Sequence, residues 1–193
     1  NINEILENNP DAVLKKIESM TLIALGAALI AALSPFQIPF GPIPITLQTL
    51  AIGLVASLFR PKEATLAVII YLLLGAIGLP VFAGGSGGFQ AFYGPTAGFL
   101  LFFPLRALVT SSLAGQKGQP ILIFIANLLG EVVLFFGGAI GFMLVTHKSL
   151  EIAWTSVVLP FMIPDLIKIT LTTILSVILY KNLKNLAYFD KQK

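Results

Sequence analysis

The chain has 193 residues, of which 56% are hydrophobic and 11% are charged, and its formal net charge is +3. A soluble domain carries about 25% charged residues, so this composition excludes a water-soluble globular protein and predicts an integral membrane protein. The length suits one domain and leaves no room for a soluble ATPase. Because the sequence contains no cysteine, disulfides, thiolate metal sites and a cysteine nucleophile are excluded as well.

Six apolar runs, separated by glycine and proline, predict an all-α bundle of six transmembrane helices. In chain order the runs cover residues 17–34, 43–59, 64–79, 96–114, 119–146 and 152–181. A spanning helix needs about 20 residues, so the second and third runs are short, whereas the last two are long enough to tilt. We therefore expect one membrane domain over residues 1–193, made of an N-terminal segment (1–16), the bundle (17–181) and a tail (182–193).

The basic residues outside the apolar runs fall almost entirely on one side of such a bundle. That side collects Lys15, Lys16, Arg60, Lys62, Lys117, Lys181, Lys184, Lys191 and Lys193. The opposite side collects Lys148. Because positively charged loops stay in the cytoplasm, the distribution predicts cytoplasmic termini, an even number of spans and a multi-pass protein of the cell membrane.

The predicted outer side holds three loops, at residues 35–42, 80–95 and 147–151, and the first two are rich in glycine and proline. Elaborate loops on one face predict that a binding site opens there. The glycine-rich stretch around Gly85 and Gly88 matches no phosphate-binding motif, but it would let the backbone approach a ligand closely. It is either a packed lid, as the flanking aromatic residues Phe89 and Tyr93 favour, or an external linker.

Four ionisable residues lie inside predicted spans, where charge is costly and usually functional. Asp165 and Lys168 are three residues apart and share a helix face, so they form either a ligand-facing polar patch or a self-neutralising pair. Glu131 lies one turn after Asn127 and can contribute to the same kind of patch, or it can neutralise Arg106.

Small residues recur every four positions on the first predicted helix, at Ala24, Ala28 and Ala32. In lipid such a stripe lets another helix approach closely. The stripe is either a docking face for a partner membrane subunit or a surface for internal packing.

Catalysis has little support in the sequence. His147 is the sole histidine and lies in a predicted loop, and no set of residues has the spacing of a metal site. We therefore expect no enzymatic activity, no metal and no cofactor, and the absence of a basic-aromatic patch predicts no nucleic-acid partner.

Three segments resemble the BioY family. Residues 41–50, Gly-Pro-Ile-Pro-Ile-Thr-Leu-Gln-Thr-Leu, are similar to the start of its second helix, and residues 71–85, continuing through 94–99, are similar to its most typical segment. Residues 163–168 resemble its Pro-Gly-Asp-x-x-Lys element, with Ile163-Pro164 where Pro-Gly is expected. The resemblance extends over residues 20–180.

BioY proteins are the biotin-specific substrate-binding (S) subunits of energy-coupling factor (ECF) transporters. The resemblance implies a six-helix S-component fold that captures biotin with high affinity, surrounded by membrane lipid. It also implies two kinds of protein partner, a transmembrane coupling subunit and two cytoplasmic ATPases, with the alanine stripe as the docking face for the coupling subunit.

Biotin offers two ureido N–H groups, a carbonyl, an apolar thioether ring and a carboxylate. Asp165 is expected to accept the ureido N–H groups, and Lys168 to offset Asp165 or meet a ligand oxygen. Further predicted ligand-binding residues are the polar Asn127, Gln90 and Thr46, the aromatic Phe40, Phe89 and Tyr93, and the glycines Gly85 and Gly88. Two alternatives remain open: an S subunit for another vitamin, and a stand-alone proton-coupled carrier with Glu131 or Asp165 as its proton site.

Overall fold

Helices make up most of the structure, a computed structural model that describes residues 9–190. They are α1 Pro10–Leu33, α2 Gln48–Leu58, α3 Pro61–Ala76, α4 Ala97–Ala114, α5 Pro120–Thr146, α6 Leu150–Leu183 and α7 Ala187–Asp190. Within α6, a π-helical stretch at Trp154–Val158 separates Leu150–Ala153 from Leu159–Leu183. Two strands, β1 Gln37–Ile38 and β2 Ile45–Thr46, and two 3₁₀ turns, Ala83–Gly85 and Phe89–Tyr93, lie between the helices.

Proline sets the start of three helices, at Pro10, Pro61 and Pro120. A proline in the first turn loses no helical hydrogen bond, because that N–H would have no partner. Helix α1 thus begins seven residues before the predicted apolar run, with the side chain of Asn9 accepting a hydrogen bond from the Ala12 N–H at 3.3 Å. Residues 1–8 of the predicted N-terminal segment (1–16) lie outside the described residues, as do Lys191 and Lys193 among the predicted cytoplasmic charges.

Four of the helices, α1, α4, α5 and α6, are long and apolar enough to cross a membrane. Helix α2 has 11 residues and α3 has 16, which at 1.5 Å per residue gives about 16 and 24 Å against a hydrocarbon core of about 30 Å. The structure is therefore an all-helical membrane protein with four helices of spanning length.

Residues 43–47 were expected to open the second helix, but they are extended in the structure. Pro44 has no N–H to donate to a helix, and residues Ile45 and Thr46 instead pair antiparallel with Ile38 and Gln37. The short ribbon shifts the start of α2 to Gln48. Irregular backbone at membrane depth must be buried in protein or line a cavity, and part of this segment does line one.

Helix α2 lies at the centre of the bundle. Ten of its 11 residues are buried, and it packs against α1, α3, α4, α5 and α6. The most extensive pairing is between α4 and α5, where Gly98 faces Gly137 and Gly141. A Cβ atom at Gly98 would lie 2.9 Å from the Gly141 Cα, so glycine at this position permits the close approach typical of membrane helices.

Candidate ligand-binding site

A cavity lies between the two long loops, residues 34–47 and 77–96, and helices α2, α4, α5 and α6. Its walls are mostly aromatic and aliphatic, and its polar groups come chiefly from the three helices α2, α5 and α6. The lining residues are Ile43, Pro44, Thr46, Gln48, Thr49, Phe82, Ala83, Ser86, Ala91, Thr96, Phe99, Leu100, Phe103, Glu131, Phe161, Asp165 and Lys168. A concave, largely apolar site with a few convergent polar groups is the usual form of a small-molecule site.

Asp165 and Lys168 form an ion pair on one face of α6, as their spacing predicted. Their side chains are 6% and 12% exposed. The Lys168 ammonium also donates to the Thr49 hydroxyl at 2.7 Å and to the Thr46 carbonyl oxygen at 3.3 Å. Lys168 therefore ties α6 to the start of α2, and its three donors are all directed to named acceptors.

A second buried ion pair lies beside the first. The Arg106 guanidinium is 2.8 Å from the Glu131 carboxylate, and both side chains are at least 96% buried. Arg106 also donates to the Thr49 carbonyl oxygen at 3.0 Å. The predicted neutralisation of Arg106 by Glu131 is therefore present, and Arg106 stays within the bundle rather than extending towards the membrane surface.

The two pairs together make a neutral cluster of two cations and two anions, which we call the charge cluster (Arg106, Glu131, Asp165 and Lys168). Buried charges persist only when they are paired and hydrogen-bonded. Within the charge cluster, two buried atoms have neither a hydrogen-bond nor an ion-pair partner among the described residues, the Glu131 Oε1 oxygen and the Arg106 Nε–H group. A buried acceptor without a partner costs about 1–3 kcal/mol, so the floor of the cavity is suited to a ligand that brings an N–H donor.

Several predicted site residues lie outside this cavity. Asn127 is fully buried and donates to the Ser57 hydroxyl at 2.8 Å and to the Ile123 carbonyl oxygen at 2.9 Å, which joins α5 to α2. Gln90 is exposed and donates to the Gly87 carbonyl oxygen within its own loop.

The predicted aromatic residues do not line the cavity either: two are exposed in the loop, and one packs against a residue of the cavity wall. Phe89 and Tyr93 are 60% and 70% exposed, and their rings pack edge-on with centroids 5.7 Å apart. Phe40 is half-exposed, and its ring packs edge-on against Phe161, which lines the cavity. Phe82 is the loop aromatic residue that is buried in the cavity wall.

The two predicted glycines support the loop without lining the cavity. Gly85 and Gly88 both have positive φ, at 73° and 106°, which only glycine adopts readily. The Gly88 N–H donates to the Gly75 carbonyl oxygen at 2.7 Å, so the loop is held against the end of α3. This packing favours the lid interpretation over that of a loose linker.

Sequence reasoning missed much of the cavity wall, namely Gln48, Thr49, Phe82, Phe99, Phe103 and Phe161. Two signals were present. Gln48 is a polar residue inside an apolar segment, and Phe99 and Phe103 are four residues apart and so share a face of α4.

The alanine stripe lies on the outer surface of the bundle. Ala24, Ala28 and Ala32 are exposed, whereas Ala27 and Ile30 on the other face of α1 are buried. These three alanines therefore remain free of internal packing, and the docking role predicted for them stays a prediction.

A family model for the BioY family matches residues 7–185 of the chain. The chain belongs to the BioY family. It is a multi-pass membrane protein, in keeping with its four helices of spanning length, and the resemblance inferred from residues 41–50, 71–99 and 163–168 is confirmed.

Named members of the BioY family match over most of their length. The "Biotin transporter BioY2" of Lactococcus lactis subsp. cremoris (strain MG1363) is 42% identical over 171 residues, which cover 88% of this chain and 94% of that protein. The "Biotin transporter BioY" of Thermotoga maritima (strain ATCC 43589 / DSM 3109 / JCM 10099 / NBRC 100826 / MSB8) is 36% identical over 157 residues, which cover 80% and 90%. Both names describe transport rather than catalysis.

A solved structure has the same fold. It is described as the crystal structure, at 2.1 Å, of the S-component for biotin from an ECF-type ABC transporter. The two structures superpose with a TM-score of 0.80 at 31% sequence identity, and the match covers 86% of this chain and 93% of the other.

Proposed function

We propose that the chain is the substrate-capture (S) subunit of an ATP-driven biotin transporter and that it binds biotin in the cavity above the charge cluster. One observation carries the proposal: a BioY-family chain has an aromatic-walled cavity whose floor is electrically neutral yet keeps an unpaired carboxylate oxygen. Such a floor suits a neutral ligand group with N–H donors, because a charged group would unbalance the cluster.

The ureido ring of biotin fits that description. Its two N–H groups are donors for the carboxylates of Glu131 and Asp165. Its carbonyl oxygen replaces the Thr46 carbonyl oxygen, 3.3 Å away, as an acceptor for Lys168. The thioether ring is apolar and packs against Phe82, Phe99 and the neighbouring aromatic wall. An analogue that lacked the ureido N–H groups would leave buried acceptors unpaired, at a cost of about 1–3 kcal/mol each.

Binding requires the cavity to widen. Its free volume is about 80 Å³, against roughly 300–1,000 Å³ for typical small-ligand sites. The loops 34–47 and 77–96 form the outer wall and contact each other where the Gly84 N–H donates to the Pro35 carbonyl oxygen at 3.1 Å. Separation of these two loops provides the entrance for the ligand.

The entrance faces outward, and both termini lie in the cytoplasm. The nine-to-one distribution of basic residues supports this orientation. The α2–α3 turn lies at the same end of the bundle as Tyr188, which its Arg60 N–H contacts, so α2 and α3 count as crossings in spite of their length. The bundle then has six spans, with the short α2 enclosed by its neighbours.

Energy for uptake comes from partner proteins. The sequence has no nucleotide-binding motif of its own, and the related solved structure belongs to an ECF-type ABC transporter. We assign the outward-facing Ala24, Ala28 and Ala32 stripe to a transmembrane coupling subunit, which in turn engages two cytoplasmic ATPases. Ala28→Trp should abolish co-purification with that subunit and leave biotin affinity unchanged. Leu144→Trp, at an exposed position of α5, should change neither.

The first test identifies the ligand. The chain is purified in mild detergent with no added ligand and denatured, and the released small molecules are identified by mass spectrometry. Near-stoichiometric biotin is expected, or saturable binding of added biotin if the purified chain has lost its ligand. If a different vitamin were released and biotin did not compete with it, the ligand assignment would be wrong. A separate experiment tests the carrier alternative: uptake into empty liposomes driven by a pH gradient alone would favour the proton-coupled carrier.

A further inference from the structure

Tyr71 does not line the cavity, but it bonds to residues of two of its walls, helix α2 and the loop 77–96. It lies on α3 and is fully buried. Its hydroxyl group is 2.5 Å from the side-chain amide nitrogen of Gln48 and 3.1 Å from the carbonyl oxygen of Val81. Gln48 lines the cavity from α2, and Val81 precedes Phe82, which lines it from the loop.

The directions of these two hydrogen bonds follow from the chemistry. A backbone carbonyl only accepts, so the single proton of the Tyr71 hydroxyl must go to Val81. The hydroxyl oxygen can then only accept from Gln48, so Gln48 must present its NH₂ group to Tyr71. The amide oxygen of Gln48 is therefore the group that remains for a ligand N–H.

The same face of α3 holds the loop in place. The Phe82 ring packs edge-on against the Tyr71 ring, with centroids 5.7 Å apart. One turn further along α3, Gly75 leaves space for Phe82, because a Cβ atom there would overlap the ring. The Gly75 carbonyl oxygen also accepts the Gly88 N–H. Residues 81–88 thus rest on the Tyr71–Gly75 face.

We propose that Tyr71 is a positioning residue for ligand capture: it orients the Gln48 amide so that its oxygen faces the ligand, and it holds the loop that closes the cavity. This inference rests on the proposed function, because the ligand is taken to be a donor of N–H groups such as biotin. Tyr71 does not touch the ligand and acts through Gln48 and Val81.

The test uses Tyr71→Phe, which keeps the ring and removes the hydroxyl, in the full chain purified in detergent. The dissociation constant and the dissociation rate of radiolabelled biotin are expected to rise about tenfold, because the Gln48 amide can rotate and the loop is released. Tyr180→Phe is the matched control: Tyr180 is a half-buried tyrosine of α6 whose ring packs edge-on against Phe189, away from the cavity. It should leave both quantities unchanged.

A double-mutant cycle with Gln48→Ala separates positioning from general structural support. Once Gln48 has been truncated, adding Tyr71→Phe should have a much smaller effect on affinity than it has alone, since coupled residues are non-additive. Thermal unfolding of all variants shows whether a loss of stability underlies the change. If Tyr71→Phe does not fold, Gln48→Ala alone should still raise the dissociation constant about tenfold.

Affinity and dissociation rate that match those of the Tyr180→Phe control would overturn the inference, as would strictly additive effects in the cycle or an unchanged dissociation constant for Gln48→Ala. A wild-type chain that binds no biotin is a separate result: it overturns the proposed function and this inference together.

Discussion

The two ends of the bundle satisfy their polar groups differently. At the end formed by the α2–α3 turn and α7, which we call the closed end, side chains from other segments fasten the turn. The Ser111 hydroxyl donates to the Phe59 carbonyl oxygen at 2.5 Å, and the Arg60 N–H donates to the Tyr188 hydroxyl at 2.8 Å. The Arg60 guanidinium also lies 4.5 Å from the centre of the Tyr188 ring.

At the ligand end, formed by the cavity and its two loops, hydrogen-bonding capacity is left over. Among the described residues, the Glu131 Oε1 oxygen and the Arg106 Nε–H group have no partner there, against the Glu63 Oε2 oxygen alone in the polar pocket at the closed end. Five of the seven glycines with positive φ lie in the two loops of the ligand end. The contrast indicates a division of labour. We expect the closed end to act as a fixed base and rearrangement on binding to be confined to the ligand end.

The largest expected effect comes from breaking the charge cluster. Arg106→Met should lower the free energy of unfolding by about 3–5 kcal/mol, because Glu131 would stay buried without its counter-charge. Adding Glu131→Leu should recover most of that stability without restoring biotin affinity. Denaturant unfolding in detergent, followed by Trp154 fluorescence, measures the free energy of unfolding. If Arg106→Met alone were as stable as the wild type, the prediction would be wrong.

A slightly smaller loss of stability is expected at the closed end. Tyr188→Ala should cost about 3 kcal/mol, the low end for truncating a buried aromatic side chain, and Tyr188→Phe should cost less. Biotin affinity should stay within twofold of the wild type in both variants. A marked loss of affinity would show that the two ends are coupled, and the proposed division of labour would then be wrong.

Removing one carboxylate from the ligand end should weaken binding and also lower stability, because Lys168 would lose its counter-charge. Asp165→Ala is expected to raise the dissociation constant for biotin at least about tenfold, or about 1.4 kcal/mol, because ureido N–H groups lose an acceptor. Asp165→Asn, of nearly the same shape, separates charge from volume. Equilibrium binding of labelled biotin measures the change, and unchanged affinity would place the binding site elsewhere.

The smallest effect concerns pH at the closed end. Burial raises the pKa of Tyr188 to about 12, with a further increase from the nearby Glu63 carboxylate and partial offset by Arg60. The folded state therefore holds the phenol proton more tightly than the unfolded state, whose tyrosines ionise near pH 10. Stability from this group is complete below pH 10 and is lost as pH rises towards 12.

That pH effect is measured against Tyr188→Phe, which cannot ionise. Above pH 10 the wild type should lose stability more steeply than the variant, whereas below pH 9 their difference should be constant. If the two curves of stability against pH were parallel over the whole pH range, Tyr188 would ionise equally well in the folded and unfolded states.

Local spacing in the sequence predicted part of the site correctly. The ion pair of Asp165 and Lys168 and the pairing of Glu131 with Arg106 were each one of two alternatives that the sequence left open, and both pairs are present. The all-helical membrane fold was accessible because composition and apolar runs depend on the solvent around the chain rather than on tertiary contacts. The BioY resemblance was accessible from the motifs at residues 41–50, 71–85, 94–99 and 163–168.

The remaining cavity residues and the start of α2 depend on tertiary packing, which the spacing of residues in the sequence does not encode. Asn127 lies one turn from Glu131, yet it bonds to Ser57 rather than lining the cavity. The loop carries four aromatic residues within a short stretch, and only the packing against Gly75 selects Phe82 as the buried one. The start of α2 moved because the β1–β2 ribbon competes with the helix for residues 45 and 46.

The short central helix α2 has a consequence for biosynthesis. At about 16 Å it cannot reach across the hydrocarbon core by itself, and almost its whole surface is covered by other helices of the same chain. During synthesis it emerges from the ribosome before α4, α5 and α6, which provide most of that cover. Its stable insertion must therefore be delayed, and α2 and α3 would enter the bilayer as a hairpin that becomes fixed only when the C-terminal half of the chain has been translated.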